Sequence, residues 1–357
     1  MIGTSWWADS MYLPALQNTN ADVIAVAGRD GGRTAEFAQR WEIPNACTTA
    51  AELLDRDDLD AVIIASTNES HHPFALEALQ RDLHVLCEKP LALDIEQARE
   101  LVSVAQRRGA TTMVPFTYRF MPTNQWVKRL IDDDYVGRPF HLDLRYFTGF
   151  ARDGEYSWRF DRDLAGSGVL GDLGTHWLDL ACWLFGDITA ISAMSSTFIE
   201  RDRRPDGQPY IPTEDAVTMT VRFASGATGT LQVSAVCYEG DGFGQTHYLD
   251  AHGGNGTIHA YNDWKKTQIV RGLQVDEPGP AAELPVPDDI WGRARRDTVH
   301  NTYRDVFRVN GAMIGEFVEA ARDGQPCDPD FAAGLRVQEL LEGAQRSIAD
   351  DGRLVTV

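Results

Sequence analysis

Lysine is nearly missing from this sequence: of 33 basic residues only Lys89, Lys128, Lys265 and Lys266 are lysines, so almost all positive charge is arginine. Basic residues of both kinds are outnumbered by 53 acids, and the formal charge of −20 argues against a nucleic-acid partner, whose phosphates would be repelled. Acid excess with so little lysine points to a high-salt, halophilic cytoplasm, where screening removes the self-repulsion of such a surface. An arginine-biased genome encoding an ordinary acidic protein is the other source of this pattern. Also absent is any run near the roughly 18 consecutive apolar residues of a membrane span. No basic segment leads into an apolar one at the N-terminus, so a secretory leader is not expected and a cytoplasmic location is. Cys47, Cys87, Cys182, Cys237 and Cys327 are scattered, odd in number and without CxxC spacing. They read as buried thiols in a reducing compartment, with neither a disulfide framework nor a zinc site.

What is present is enough for two cores. With 357 residues, 43% of them hydrophobic, the chain exceeds one ordinary domain. The first 120 or so residues alternate short apolar runs (Val23–Ala27, Ala61–Ala65, Leu83–Cys87, Thr111–Pro115) with helical stretches around Tyr12–Gln17, Thr34–Trp41, Pro73–Gln80 and Ile95–Arg107. That order predicts an α/β Rossmann-like, doubly wound parallel sheet over residues 1–120. From about Pro139 the period changes to two, in Phe140–Phe147, Ala190–Phe198, Ala216–Phe223 and Thr228–Val236. Two helices, around Gly311–Arg322 and Asp330–Ser347, close the chain, and Asp276–Asp289 reads as a surface loop. Residues 121–357 are thus expected to form an α+β domain with a large, mainly antiparallel open sheet.

Three segments carry chemistry. Gly3-Thr4-Ser5-Trp6-Trp7-Ala8 stands where a G-x-G-x-x-G/A phosphate loop would follow a first strand, here only Met1-Ile2, with Ser5 in place of the second glycine. Either the start lies upstream of Met1 or the central strand is short. After the second strand comes Gly28-Arg29-Asp30: an arginine there suits a 2′-phosphate and favours NADP over NAD, while Asp30 is equally suited to cap the next helix. The second segment, Cys87-Glu88-Lys89-Pro90, ends a buried strand, and proline holds Lys89 extended, off the ligand edge of the sheet. A lysine so placed can donate to a substrate oxygen. The third runs from Gly166 to His176: glycines end a loop, then Asp172, His176 and Asp179 share one helical face opposite Leu173, Trp177, Leu180 and Leu184. A histidine flanked by carboxylates suits general-base work, and no second histidine lies at metal-ligand spacing.

In combination these motifs resemble the glucose–fructose oxidoreductase / inositol dehydrogenase / rhizopine catabolism (Gfo/Idh/MocA) family. The resemblance extends to Ser66-Thr67-Asn68 with His71, to Tyr118-Arg119-Phe120-Met121-Pro122, and to Pro326, Phe331 and Gly334. It implies a nicotinamide-dependent dehydrogenase or reductase acting on a hydroxyl or carbonyl of a sugar or cyclitol. Lys89, Asp172 and His176 match the catalytic trio. The dinucleotide would be held by Gly3, Thr4, Ser5, Trp6, Trp7, Arg29, Asp30, Ser66, Thr67, Asn68, His71, Glu88, Lys89 and Arg119. Tyr118, Tyr156, Trp158 and Arg159 join the trio as substrate-side candidates. A homodimer or homotetramer through the C-terminal sheet is implied. So are two other activities seen among relatives: glycoside hydrolysis or epimerisation with a tightly bound dinucleotide, and non-catalytic sensing.

Overall fold

The computed structural model describes residues 1–240, 244–277 and 279–357. They fall into two compact units, Met1–Phe116 with Arg304–Gln338, and Thr117–Tyr303 with Glu339–Val357.

In the first unit the two-residue stub at the start occupies the centre of the sheet. Ile2 bridges Ala27 on one side and Ile64 on the other, both in parallel sense. The ladder is closed by Ile2 N to Ile63 O and Ala65 N to Ile2 O, each at 2.8 Å. The resulting order is Asn45–Cys47, Ala25–Ala27, Ile2, Ala61–Ile64, His84–Cys87, Thr112–Met113, all parallel. The apolar runs become strands because helices cover the sheet: Val26, Ile64, Val85 and Leu86 are buried completely. Asn45–Cys47 escapes a periodicity reading, since three residues with one buried side chain carry no pattern.

Beyond the boundary expected near residue 120, residues 304–338 pack with the first unit. The reason is local. Val114 N donates to Pro329 O at 2.9 Å and Phe331 N to Thr112 Oγ1 at 3.2 Å, which gives the last strand's edge partners. Gly334 lies so close to Leu91 and Val114 that an added Cβ would sit 2.8 Å from the valine methyl.

The second unit is built on nine strands in the order Ala282–Glu283, Gln268–Gln274, Gly256–Asp263, Gln245–Gly253, Pro139–Thr148, Thr228–Ser234, Ala216–Phe223, Ile188–Ser196, Val355–Thr356. Every pairing is antiparallel except that of Pro139–Thr148 with Thr228–Ser234. Alternation assigns the faces. Leu142, Leu144 and Tyr146 point into the core, whereas His141, Asp143 and Arg145 lie on the half-exposed face. There Arg145 stacks 4.3 Å above Tyr248, and Tyr248 meets Tyr261 at 4.8 Å across the next strand. The stretch Asp276–Asp289 is not wholly loop: Ala282–Glu283 pairs with Gly272 and Arg271, and Asp288 opens a short helix; Pro278 lies outside the described residues.

Candidate active site

The loops that follow parallel strands meet at one edge of the first unit's sheet, and all its expected site residues sit there. Gly3 adopts φ +107°, and a Cβ on it would lie 2.2 Å from the Ala65 carbonyl oxygen, so only glycine can make this turn. Ser5, in the place of the second glycine, accepts from Ala8 N at 3.1 Å and caps the helical segment. That segment opens with a π-helical turn, Ala8–Tyr12. Trp6 is 72% exposed and Trp7 half-buried, their rings 6.1 Å apart.

At the second strand's end the Asp30 carboxylate accepts from Arg33 N at 2.9 Å and caps Gly31–Arg40. Arg29 is exposed, and so is Arg33, whose guanidinium reaches the Thr4 carbonyl at 3.4 Å. Sequence reasoning passed over Arg33, although its spacing of four from Arg29 was visible.

After the third strand, Ser66 Oγ lies 2.6 Å from Ser70 Oγ, Thr67 Oγ1 donates to Glu69, and Asn68 is buried. His71 is completely buried. Its ring nitrogens lie 2.8 Å from the Pro90 carbonyl and 3.3 Å from that of Ser66. Burial pushes its pKa down. A neutral ring has one N–H, which serves the nearer Pro90 carbonyl in the turn after Lys89, while the other nitrogen faces the Ser66 carbonyl. Glu88 takes the Tyr12 hydroxyl and the Lys89 amide, the latter at 3.2 Å. Lys89 is half-buried at that strand end.

Asp172 and His176 belong to the second unit. Asp172 lies in a π-helical turn, Leu170–Gly174, that runs into the helix Thr175–Phe185. The face that carries His176 and Asp179 is buried as well as the opposite one: His176 is 8% and Asp179 1% exposed. The turn is held by Glu214, a residue the sequence did not single out. Its buried Oε1 accepts from Gly168 N at 2.8 Å and Leu170 N at 3.1 Å, and burial pushes its carboxyl up. Gly168 must be glycine, for a Cβ would lie 2.0 Å from the Glu214 carbonyl oxygen.

Each of the three side chains on this helix has a partner within the second unit. Asp172 Oδ2 pairs with Arg159 Nε at 3.3 Å. Asp179 receives two bonds from Arg119, at 2.7 and 2.6 Å, in a pair with side-chain exposures of 2% and 9%. Arg119, expected beside the dinucleotide, thus has its guanidinium engaged inside the second unit. His176 meets the Tyr118 ring at 5.0 Å and 87°. Tyr118 is itself enclosed, with Trp177 at 5.1 Å and His247 at 5.0 Å. Tyr146 Oη donates to Gln245 at 2.9 Å, so Tyr118 Oη is the donor in the 2.7 Å bond between the two phenols. Burial raises the pKa of both. His247, opposite Tyr146 across the strands, is fully enclosed and pushed down to about 3. Of the other substrate-side candidates, Tyr156 donates to Asp161 at 3.1 Å, and Trp158 is half-buried beneath Arg159 at 4.7 Å.

Among the described residues no group of three or more His, Cys, Asp or Glu could hold a metal, and no helix is long and apolar enough to cross a membrane.

Comparison with known proteins gives two family matches: "Oxidoreductase family, NAD-binding Rossmann fold" over residues 1–116, and "GFO/IDH/MocA C-terminal domain" over 124–259. The chain is 27% identical to levoglucosan dehydrogenase of Pseudarthrobacter phenanthrenivorans over 344 residues, covering 89% of this chain and 85% of that one. It is 29% identical to D-xylose 1-dehydrogenase (NADP(+)) 2 of Haloferax volcanii, covering 99% and 98%. Among solved structures, an NAD binding oxidoreductase from Klebsiella pneumoniae superposes with a TM-score of 0.86 at 27% identity, covering 100% of this chain and 97% of that one. A levoglucosan dehydrogenase in complex with NADH and levoglucosan gives 0.86 at 23%, covering 100% and 98%, a likeness of fold.

Proposed function

The chain belongs to the Gfo/Idh/MocA oxidoreductase family, and on that premise we propose that it oxidises a hydroxyl of a sugar or cyclitol, or reduces the matching carbonyl, with NADP preferred to NAD. The observation that carries the reading is His176: a nearly buried imidazole, edge-on to a fixed tyrosine ring and one turn beyond a carboxylate. That is the environment of a proton-transfer group and not of a surface histidine.

When bound, the nicotinamide supplies the hydride acceptor or donor. His176 takes the hydroxyl proton in oxidation and returns it in reduction. Lys89 donates to a substrate oxygen and stabilises negative charge that develops there, and its amide is already braced on Glu88. Asp172 accepts from a substrate hydroxyl and keeps a negative charge near the imidazole, favouring its protonated form. For the dinucleotide, the glycine-only turn at Gly3 and the helical segment after it form a place for the diphosphate, joined by Ser66, Thr67 and Asn68 on the next loop. The NADP preference is supported by Asp30, whose carboxylate is spent on a helix cap, beside exposed Arg29 and Arg33.

A sugar substrate is supported by the names of relatives, among them levoglucosan, D-apiose and D-xylose dehydrogenases. The half-exposed sheet face with its Arg145–Tyr248–Tyr261 stack supports self-association through that face.

A panel of sugars and polyols, followed by NADP⁺ and NAD⁺ reduction at high and low salt, tests the reading directly. Lys89→Ala and His176→Asn are each expected to lower turnover by at least ~100-fold while NADPH binding, read by calorimetry, is kept. Unimpaired turnover in either variant removes the assignment. NADH binding as tight as NADPH removes the cofactor preference.

A further inference from the structure

We propose that Arg159 is a positioning residue for this chemistry: its guanidinium, backed by the Trp158 indole, fixes the Asp172 carboxylate on the turn that leads to His176. The inference rests on the roles given above to Asp172 and His176.

The geometry supplies a cation held from two sides. Arg159 Nε stands 3.3 Å from Asp172 Oδ2, and the guanidinium carbon lies 4.7 Å from the Trp158 ring centre. A planar guanidinium lying on an aromatic face keeps its edge free for a carboxylate, which a lysine ammonium could not do equally well. Isolated surface pairs of this type hold each other weakly, since both long side chains must be ordered first. Here the ordering is supplied by the segment itself.

That segment is a short step between buried anchors. Before it, Ser157 Oγ accepts from Arg159 N at 3.4 Å. After it, Phe160 is 1% exposed beneath the Arg201 guanidinium at 3.7 Å. Asp161 is fully buried, taking Arg204 through two bonds of 2.6 and 2.7 Å. Main-chain bonds from Thr213 N to Phe160 O at 3.0 Å and from Arg162 N to Ile211 O at 3.2 Å bind the segment to the strap that ends at Glu214. Glu214 in turn holds the turn bearing Asp172. One chain segment thus fixes both halves of the pair, Arg159 through Asp161 and Phe160, and Asp172 through Glu214.

The electrostatic consequence has a definite sign. Around Asp172 and His176 in this unit stand the Tyr118 and Tyr146 phenols, which burial keeps protonated, and His247, which burial keeps neutral. Asp179 is matched by Arg119. Arg159 stands 3.3 Å from Asp172, and at that distance its charge bears on how readily Asp172 loses its proton and His176 gains one. Removing it leaves the Asp172 charge unopposed by this cation, and the imidazole becomes the stronger base.

The test is a titration of the histidine Cε1–H signals by NMR in the full-length protein, with the His176 signal identified by its loss in His176→Asn. Arg159→Ala is expected to raise the His176 pKa by about 0.3–1 unit. Arg159→Lys should restore most of the wild-type value, and molar salt should shrink the difference. Trp158→Leu, which keeps the cation and removes its backing, should give a smaller shift of the same sign. Arg159 lies on the exposed side of the pair, so its two variants are expected to melt like the wild type. A change below about 0.1 unit in a folded Arg159→Ala protein, or a downward change, overturns the proposal. That outcome is separable from failure of the oxidoreductase reading, which would show as wild-type protein inactive on every sugar tested.

Discussion

The two units hold their reactive side chains by different means. Lys89 is placed by main chain: it ends a buried strand, its amide rests on Glu88, and the carbonyl after it accepts from the His71 ring. His176 is placed by side chains: Tyr118 against its ring, and Trp177, Tyr146 and His247 around Tyr118. The contributors to the first arrangement are close in sequence, with the exception of Tyr12. Those of the second come from residues 118, 146, 177 and 247, on two helical segments and two strands. A main-chain arrangement leaves a short motif behind; a cage of rings leaves almost none.

The largest effect that would sharpen this contrast is expected at Asp179, which supports the His176 helix from behind. Asp179→Asn leaves the Arg119 guanidinium buried without its counter-charge, and a loss of ~3–5 kcal/mol is expected in urea unfolding. Replacing both partners together, Arg119→Met with Asp179→Leu, should cost far less. If the single and double variants were equally unstable, packing and not the charge would be what holds the helix.

Next in size is a pH effect at His247. Its ordinary pKa of 6.5 falls to about 3 in the folded protein, with burial as the cause. The unfolded chain therefore takes up a proton below about pH 6.5 that the folded chain refuses, so stability is full above that value and falls toward pH 3. His247→Leu should remove a few kcal/mol of this acid sensitivity. It should cost little at neutral pH, because neither ring nitrogen has a hydrogen-bond partner among the described residues. His71, also shifted down, leaves a residual slope. Unfolding in urea at pH 7 and 4.5 separates the two outcomes, and an unchanged slope in the variant would remove His247 as its source.

In the first unit the matching change is His71→Leu. The Pro90 carbonyl loses its buried donor and the Ser66 loop its contact with the ring, and a loss of ~1–3 kcal/mol is expected. NADPH affinity should fall as the Ser66 loop loosens, while the His176 titration stays as it was. A shift in that titration would mean that the two arrangements are not independent.

What could be seen in advance follows the same division. The parallel strands were legible because both faces are covered and the runs are continuously apolar. The stub Met1-Ile2 carries no strand pattern of its own, and its central place shows only in the bridges of Ile2 to the strands on either side. Lys89, Asp172 and His176 stood out through proline, glycine and helical spacing. Arg159 and Tyr118 read as substrate contacts in the sequence; in the structure Arg159 pairs with Asp172 and Tyr118 stands in the ring cage against His176. The helix period assigned Asp172, His176 and Asp179 to one face; the π-helical turn changes the register of Asp172 against the other two, and Asp179, buried, pairs with Arg119. Glu214 and Tyr146 left no local signal, because each acts on residues at least 28 positions away. Their roles exist only once the strands have paired.

The smallest expected effect asks whether the cage works through rings or hydroxyls. Tyr118→Phe removes one donor; Tyr146 keeps its bond to Gln245, so about 1 kcal/mol of stability should be lost. The ring that meets His176 remains, and with it the imidazole's orientation, so turnover and the His176 pKa should hardly move. Tyr118→Leu takes away the ring as well and opens the space between His176, Trp177 and His247. Its stability loss should be ~2–4 kcal/mol larger, with turnover reduced because the base is no longer fixed. Equal damage from Phe and Leu would mean that the Tyr118–Tyr146 hydroxyl pair holds the site. His176 would then, like Lys89, depend on a few directed hydrogen bonds, and the contrast between the units would lie in sequence distance alone.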